Sequence, residues 1–195
     1  MPCYQIDGVT PVVHSSAYVH PTAVLIGDVH VGANCYVGPC ASLRGDFGRI
    51  VMEAGSNLQD SCVVHAFPGR DAIVRRNGHV GHGAILHGCT IEEDAMVGMN
   101  SVIMDEAIIA ARSIVGACAF VKAGFECEPA SLIVGSPAKV LRQLSDEVGW
   151  KQSGTREYQA LTERCLETIK ECAPLAEIDE NRPQLRVGSH SLNDR

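Results

Sequence analysis

The stretch Ile91–Val121, "IEEDAMVGMNSVIMDEAIIAARSIVGACAFV", places an aliphatic residue at every sixth position: Ile91, Val97, Ile103, Ile109, Val115 and Val121. An upstream series does the same through Val19, Leu25, Val31, Val37 and Leu43. Four residues after most of these anchors stands a small side chain, as at Ala23, Cys35, Ala41, Ala95, Ser101, Ala107, Ser113 and Ala119. A six-residue period suits neither a helix of 3.6 residues per turn nor one continuous strand of period two. The chain must therefore turn every six residues. Three short strands then make an 18-residue coil, and coils stacked at strand spacing bury the anchors in one prism-shaped core. The expected fold is mainly β, a parallel β-helix with the small residues at its bends.

The period breaks between Val64 and Val80. The segment "HAFPGRDAIVRRNGH" carries Pro68-Gly69 and Asn77-Gly78, both turn formers, and is expected to leave the prism as an excursion over 66–79. After residue 130 the hexads end, and Tyr158, Leu161, Cys165, Ile169 and Cys172 recur at helical spacing. The reading is a β-helix over 1–140, a C-terminal helical segment over 141–174 lying along the prism, and a polar tail over 175–195 whose composition favours disorder.

Of 195 residues, 23 are Asp or Glu and 16 are Lys or Arg, so the basic surface that nucleic acid or an anionic membrane requires is missing. No apolar run is long enough to span a bilayer, and the N-terminus lacks a secretory signal pattern. With nine cysteines and no Cys-x-x-Cys pair, the thiols read as reduced small hydrophobes in a cytoplasmic protein.

"VGHGAILHG", residues 80–88, raises the functional question. Val80 and Leu86 are inward anchors, so His82 lies two positions past one and His87 one position past the next. They fall on either side of a corner and face outward from adjacent walls. Two such histidines cannot readily meet on one ion at about 2.1 Å within a chain. A neighbouring prism could supply the missing partner: three chains side by side would bring His87 of one to His82 of the next, with His65 completing a three-nitrogen set. His14, His20, His30 and His190 read as ordinary surface histidines.

The segments "RGDFG" (44–48), "NLQDSCVVH" (57–65) and "GHGAILHG" (81–88) resemble the γ-class carbonic anhydrase-like family of the hexapeptide-repeat superfamily. "YQIDGVTPVV", "HPTAVLIGDV", "VGMNSVIMD" and "LIVGSPAKV" resemble more narrowly its phenylacetic acid degradation branch, a near relative of a carnitine-operon branch. The resemblance implies a left-handed β-helix and a homotrimer with metal at each subunit interface. His65 and His87 would come from one chain and His82 from its neighbour, holding zinc, with iron or cobalt also suited to three imidazoles. Arg44 would pair with Asp46 and Asp60 at the interface, and Gln59 would reach a water on the metal. An ion-pair network that holds the trimer is the plainer role for Arg44, Asp46 and Asp60.

Where carbonic anhydrases of this class carry proton-shuttling glutamates, the chain has Phe47 and Pro68. An open metal position with an apolar mouth suits hydrolysis of a coenzyme A thioester linked to phenylacetate breakdown by a metal-activated hydroxide. Phe47, Phe67 and Tyr158 are the candidate contacts for the acyl group. Lys139, in "VGSPAKV", is the candidate contact for a phosphate of coenzyme A, since that segment resembles one with which hexapeptide acyltransferases touch the coenzyme. Carbonic anhydrase, acyl transfer and a non-enzymatic trimeric scaffold are the alternatives.

Overall fold

The computed structural model describes residues 1–145 and 149–185. The chain winds as a parallel β-solenoid of about seven turns with one C-terminal helix. Three columns of anchors stack through it. The first runs Val19, Val37, Leu58, Val80, Val97, Val115 and Ile133. Another holds Leu25, Leu43, Val64, Leu86, Ile103 and Val121. Val31, Met52, Val74, Ile91 and Ile109 form the third. Apart from Val19 at the open end, these side chains are almost wholly excluded from water, and the small residues at the bends, Ala23, Ala41, Ala95, Ser101 and Ala107 among them, are at most 1% exposed. A larger side chain there would strike the neighbouring coil.

Three residues past an anchor the backbone enters the left-handed region, even where the residue is not glycine: Asn34, Asn77, Asp94, Asn100, Arg112 and Cys118 have φ between 55 and 60°. Each such corner strains an L-residue, and Asn and Asp tolerate it best. What holds the corner is the ladder, since the corner residue's own amide donates to a carbonyl one coil away, as Asn100 does to His82 and Arg112 to Glu93.

The excursion expected over 66–79 is smaller than the sequence suggested. Ala72–Val74 returns as a strand between Ile50–Met52 and Thr90–Ile91, with Ala72 and Val74 1% exposed. Only 66–71 leaves the wall, because Ala72 and Val74 are apolar at the alternation a wall strand needs. At the other end, Ala138–Gln143 turns back as an antiparallel strand on Ser131–Gly135 and closes off the last parallel coil.

The helix spans Gly149–Thr168. Tyr158, Leu161 and Cys165 seat it on Tyr18 and Tyr36 of the first wall, and Gln159 Nε2 donates to Gly55 O and Asn77 Oδ1 at 3.2 and 3.1 Å. Ile169 and Cys172, expected on the same face, lie past the helix end and are exposed. Residues 175–185 have no regular strand or helix, and 186–195 of the expected tail lie outside the described residues.

Candidate functional site

The coils differ in length at one corner. The second column climbs from Leu43 to Val64, Leu86, Ile103 and Val121. Its first two steps are longer than a regular coil, the third is shorter, and only the last keeps the period. The extra length of the first step comes from the RGDFG segment within the continuous strand Ser42–Met52. Gly45 and Gly48 permit this, because a Cβ on either would collide with the carbonyl oxygen of Asp28 or Arg70. The loop 66–71 lengthens the second step, and the third is cut short just after His87, where Gly88 takes φ 54°. All three irregularities lie between the second and third columns.

This corner carries the histidine pair. His65 and His87 are register partners on adjacent strands Val63–His65 and Ile85–His87, and His65 Nδ1 lies 3.2 Å from His87 Nε2. Their outer nitrogens belong to carboxylates, His65 Nε2 to Asp46 at 2.9 Å and His87 Nδ1 to Asp105 at 2.7 Å. If both outer N–H groups donate, the inner nitrogens present facing lone pairs, a contact that needs a shared proton or a cation. Two nitrogen ligands at about 2.0–2.1 Å on a tetrahedral ion stand about 3.3 Å apart, so the donor set fits such an ion. Among the described residues, no three His, Cys, Asp or Glu side chains in the chain converge to hold a metal alone.

Arg44 Nη1 donates to Asp46 Oδ2 at 2.5 Å. Burial pushes the Asp46 carboxyl up, but hydrogen bonds from Arg44 and His65 and the Arg44 charge hold it below its ordinary value. Phe47 packs on His65 with centroids 5.5 Å apart, and Phe67 meets His87 edge-on at 4.9 Å. Both phenylalanines are 55% exposed, forming an apolar rim around the imidazoles.

The remaining expected residues gather elsewhere. His82 Nδ1 lies 3.1 Å from Asp60 Oδ2 on the corner between the first and second columns, where Gly83 N donates to Asp60 O. Gln59 is buried against Asn57 and His79, which packs edge-on with Tyr158 at 5.4 Å. Burial, with the charge of Asp60 and the Cys62 thiol, pushes the Tyr158 phenol up to about 12, so it is no base near neutrality. Among the described residues no hydrogen bond or ion pair joins this corner to the His65–His87 corner, and Arg44 does not pair with Asp60. The two clusters therefore stand on different corners of the solenoid, one wall apart. Lys139 stands apart from both, in a groove with Lys122, Phe125, Pro137 and Val140 on the last coils.

Asp105, Asn57 and His79 escaped the sequence reading. Asp105 had a signal: it stands one regular coil beyond His87 in the sequence. Burial pushes the thiols of Cys62 up to about 11 and of Cys89 to about 12, so these two stay protonated near neutrality.

A solenoid of hexads with this column structure defines a class, and the chain belongs to it: the family described as bacterial transferase hexapeptide (six repeats) matches residues 10–45 and 88–123. The stretch between those matches, 46–87, holds His65, His82, His87 and the irregular loop. Within the class, the chain is 59% identical over 187 residues to the carnitine operon protein CaiE of Salmonella agona (strain SL483), covering 95% of this chain and 94% of that one. CaiE of Proteus sp. (strain LE138) is 57% identical over the same length, covering 95% of each. Among solved structures, a hexapeptide transferase family protein from Anaplasma phagocytophilum is 36% identical with TM-score 0.79, covering 84% of this chain and 97% of that one. These names bear out the kinship with the carnitine-operon branch, whereas the narrower placing in the phenylacetic acid degradation branch rests on the sequence resemblance alone. No helix among the described residues is long and apolar enough to cross a membrane.

Proposed function

We propose that the chain acts as a homotrimer in which the His65–His87 corner of one copy meets the Asp60–His82 corner of the next, forming a metal-dependent hydrolase of acyl-coenzyme A thioesters. The facing imidazole nitrogens, 3.2 Å apart and each ring backed by a carboxylate, carry this reading. Zinc, or iron or cobalt, held by His65, His87 and His82 of a neighbouring copy, would supply a Lewis acid that brings the pKa of a water near neutrality. A head-to-tail contact between two different corners closes into a ring when the rotation is threefold.

Within that site Asp46 and Asp105 fix which imidazole nitrogens face inward. Arg44 holds Asp46 in place. Gln59 hydrogen-bonds the reacting oxygen, and Phe47 and Phe67 shelter an acyl group against apolar rings. The apolar rim suits the aromatic acyl group of phenylacetate breakdown, while the name of the relatives makes the carnitine thioester the second substrate to try. Lys139 and Lys122 suit a phosphate of coenzyme A. Free thiols and acyl-coenzyme A chemistry favour the cytoplasm.

Acyl transfer is the second reading, favoured by the transferase name of the family and of the Anaplasma relative. Metal-loaded protein incubated with phenylacetyl- and carnitinyl-coenzyme A distinguishes the two. Free coenzyme A released without an added acceptor is the expected result. Release only with an amine or alcohol acceptor would make the protein a transferase, and no release from either thioester would overturn both. Carbonic anhydrase activity should be low in the native chain and rise in the Phe47→Glu/Pro68→Glu double variant, which restores a proton acceptor at the rim.

A further inference from the structure

Beneath the helix, Asn57, Gln59 and His79 close a triangle of polar contacts. Gln59 Nε2 lies 3.1 Å from Asn57 Oδ1 and 2.8 Å from His79 Nε2, and Asn57 Nδ2 lies 3.2 Å from His79 Nδ1. All three residues are buried, at 0% for Asn57, 3% for Gln59 and 8% for His79.

Such a triangle has a parity. Asn57 meets its two partners with opposite ends of its amide, whereas Gln59 meets both with the same end. If that shared end is the nitrogen, Asn57 accepts from Gln59 with its oxygen and donates to His79 with its nitrogen. Both ring nitrogens must then accept, which only an imidazolate can do. The ends of an amide are nearly equal in size, so turning both side chains by half a turn keeps every contact. Gln59 Oε1 then accepts from Asn57 Nδ2–H and from His79 Nε2–H, while Asn57 Oδ1 accepts from His79 Nδ1–H. All three bonds form, with the ring an imidazolium. A neutral ring leaves one contact without a usable proton or lone pair, whichever way the amides face.

We propose that His79 is a positioning residue, a buried imidazolium that locks Gln59 with its amide oxygen inward and its NH2 group outward. The outward atom of Gln59 makes no hydrogen bond among the described residues and is not one of the buried atoms left without a partner; it reaches the surface. Gln59 therefore donates to the proposed site and selects an oxygen lone pair there, such as a thioester carbonyl or the oxyanion it becomes. The groups around the ring are compatible with a cation. Tyr158 on the helix stands perpendicular to it with ring centroids 5.4 Å apart, and its phenol stays neutral. Tyr36 packs on Tyr158. Asp60 lends negative charge to the cluster, and Cys62 stays a thiol.

The inference rests on the proposed function only for what the NH2 group serves; the charge of His79 is read without any substrate. Full-length protein carrying ring-15N histidine should show the His79 ring with both nitrogens protonated at pH 7.5, above the ordinary histidine midpoint of about 6.5. Loss of that signal in His79→Gln assigns it. Asn57→Leu opens the triangle, and the same ring should then show a neutral tautomer at pH 7.5. With 15N-labelled side-chain amides, the Gln59 NH2 protons should exchange with water faster than those of Asn57 by at least tenfold. A neutral His79 in the native protein at pH 7.5, or Gln59 amide protons as protected as those of Asn57, would overturn the proposal. If either variant fails to fold, correlation of the ring nitrogens with the His79 backbone assigns the signal in the native protein, and the native spectra then decide it.

Discussion

The coils from Ile91 onward and those around His65 are made of the same hexads but follow different rules. Ile91 stacks on Ile109, and Val97 on Val115 and then Ile133, with one regular coil between partners every time. The steps that pass the histidine corner, from Leu43 to Val64, Leu86 and Ile103, are two long and one short. Regular coils put every inward side chain on the previous one and leave little outward but short turns. An insertion changes nothing inside the prism, because the anchors return to register, but it gives the outer surface length to spend. The added RGDFG segment, the 66–71 loop and the shortened turn at Gly88 occupy the same corner, and there they set carboxylates and phenylalanines around two stacked imidazoles. Stability resides in the period, and the candidate site lies where the period is interrupted.

The sharpest way to break this contrast is to truncate an anchor. Ile103 is fully buried in the second column, and Ile103→Ala should lower unfolding free energy by about 2–5 kcal/mol in urea. Phe67→Ala, on the exposed rim, should stay within about 0.5 kcal/mol of the parent. Equal losses would mean that the corner is part of the core after all.

A smaller effect is expected one layer out from the proposed metal ligands. Asp105→Asn removes the carboxylate behind His87 and should weaken zinc binding about 10–100-fold, read by competition with a chromophoric chelator, while far-UV circular dichroism is unchanged. Unchanged affinity would leave Asp105 as a surface ion-pair partner and nothing more.

The smallest effect tests the regular coils themselves. Arg112 sits at φ 60° on a corner of the surface. Arg112→Gly removes the left-handed strain, offset by the extra freedom of glycine in the unfolded chain, and should raise stability by up to about 1 kcal/mol in thermal unfolding. Destabilisation would show that the arginine side chain contributes more than its backbone strain takes away.

Much of the architecture could be read from Ile91–Val121 alone, because burying every sixth residue is a local code and each hexad repeats it. The same code identified Val80 and Leu86 as anchors, and from them it followed that His82 and His87 face outward from adjacent walls; that each sits at a corner of its own is seen only in the structure. The code also exposed its own gap, since Ala72 and Val74 were hidden inside a segment full of turn formers, and only strand pairing with Ile50–Met52 returns them to the wall. Asp105 lay one regular coil beyond His87 and was within reach of the same arithmetic.

Tertiary structure alone decided the rest. That Asp46 backs His65 depends on the RGDFG insertion that carries it and on two glycines letting that insertion lie flat. The Asn57–Gln59–His79 triangle depends on a lengthened coil that brings His79 beside Asn57 and on Tyr158 arriving from the C-terminal helix. A hydrophobic period fixes which side chains point inward, one hexad at a time. Which outward side chains touch depends on the sum of every insertion and deletion in the coils between them, and that sum is settled only when the strands pair.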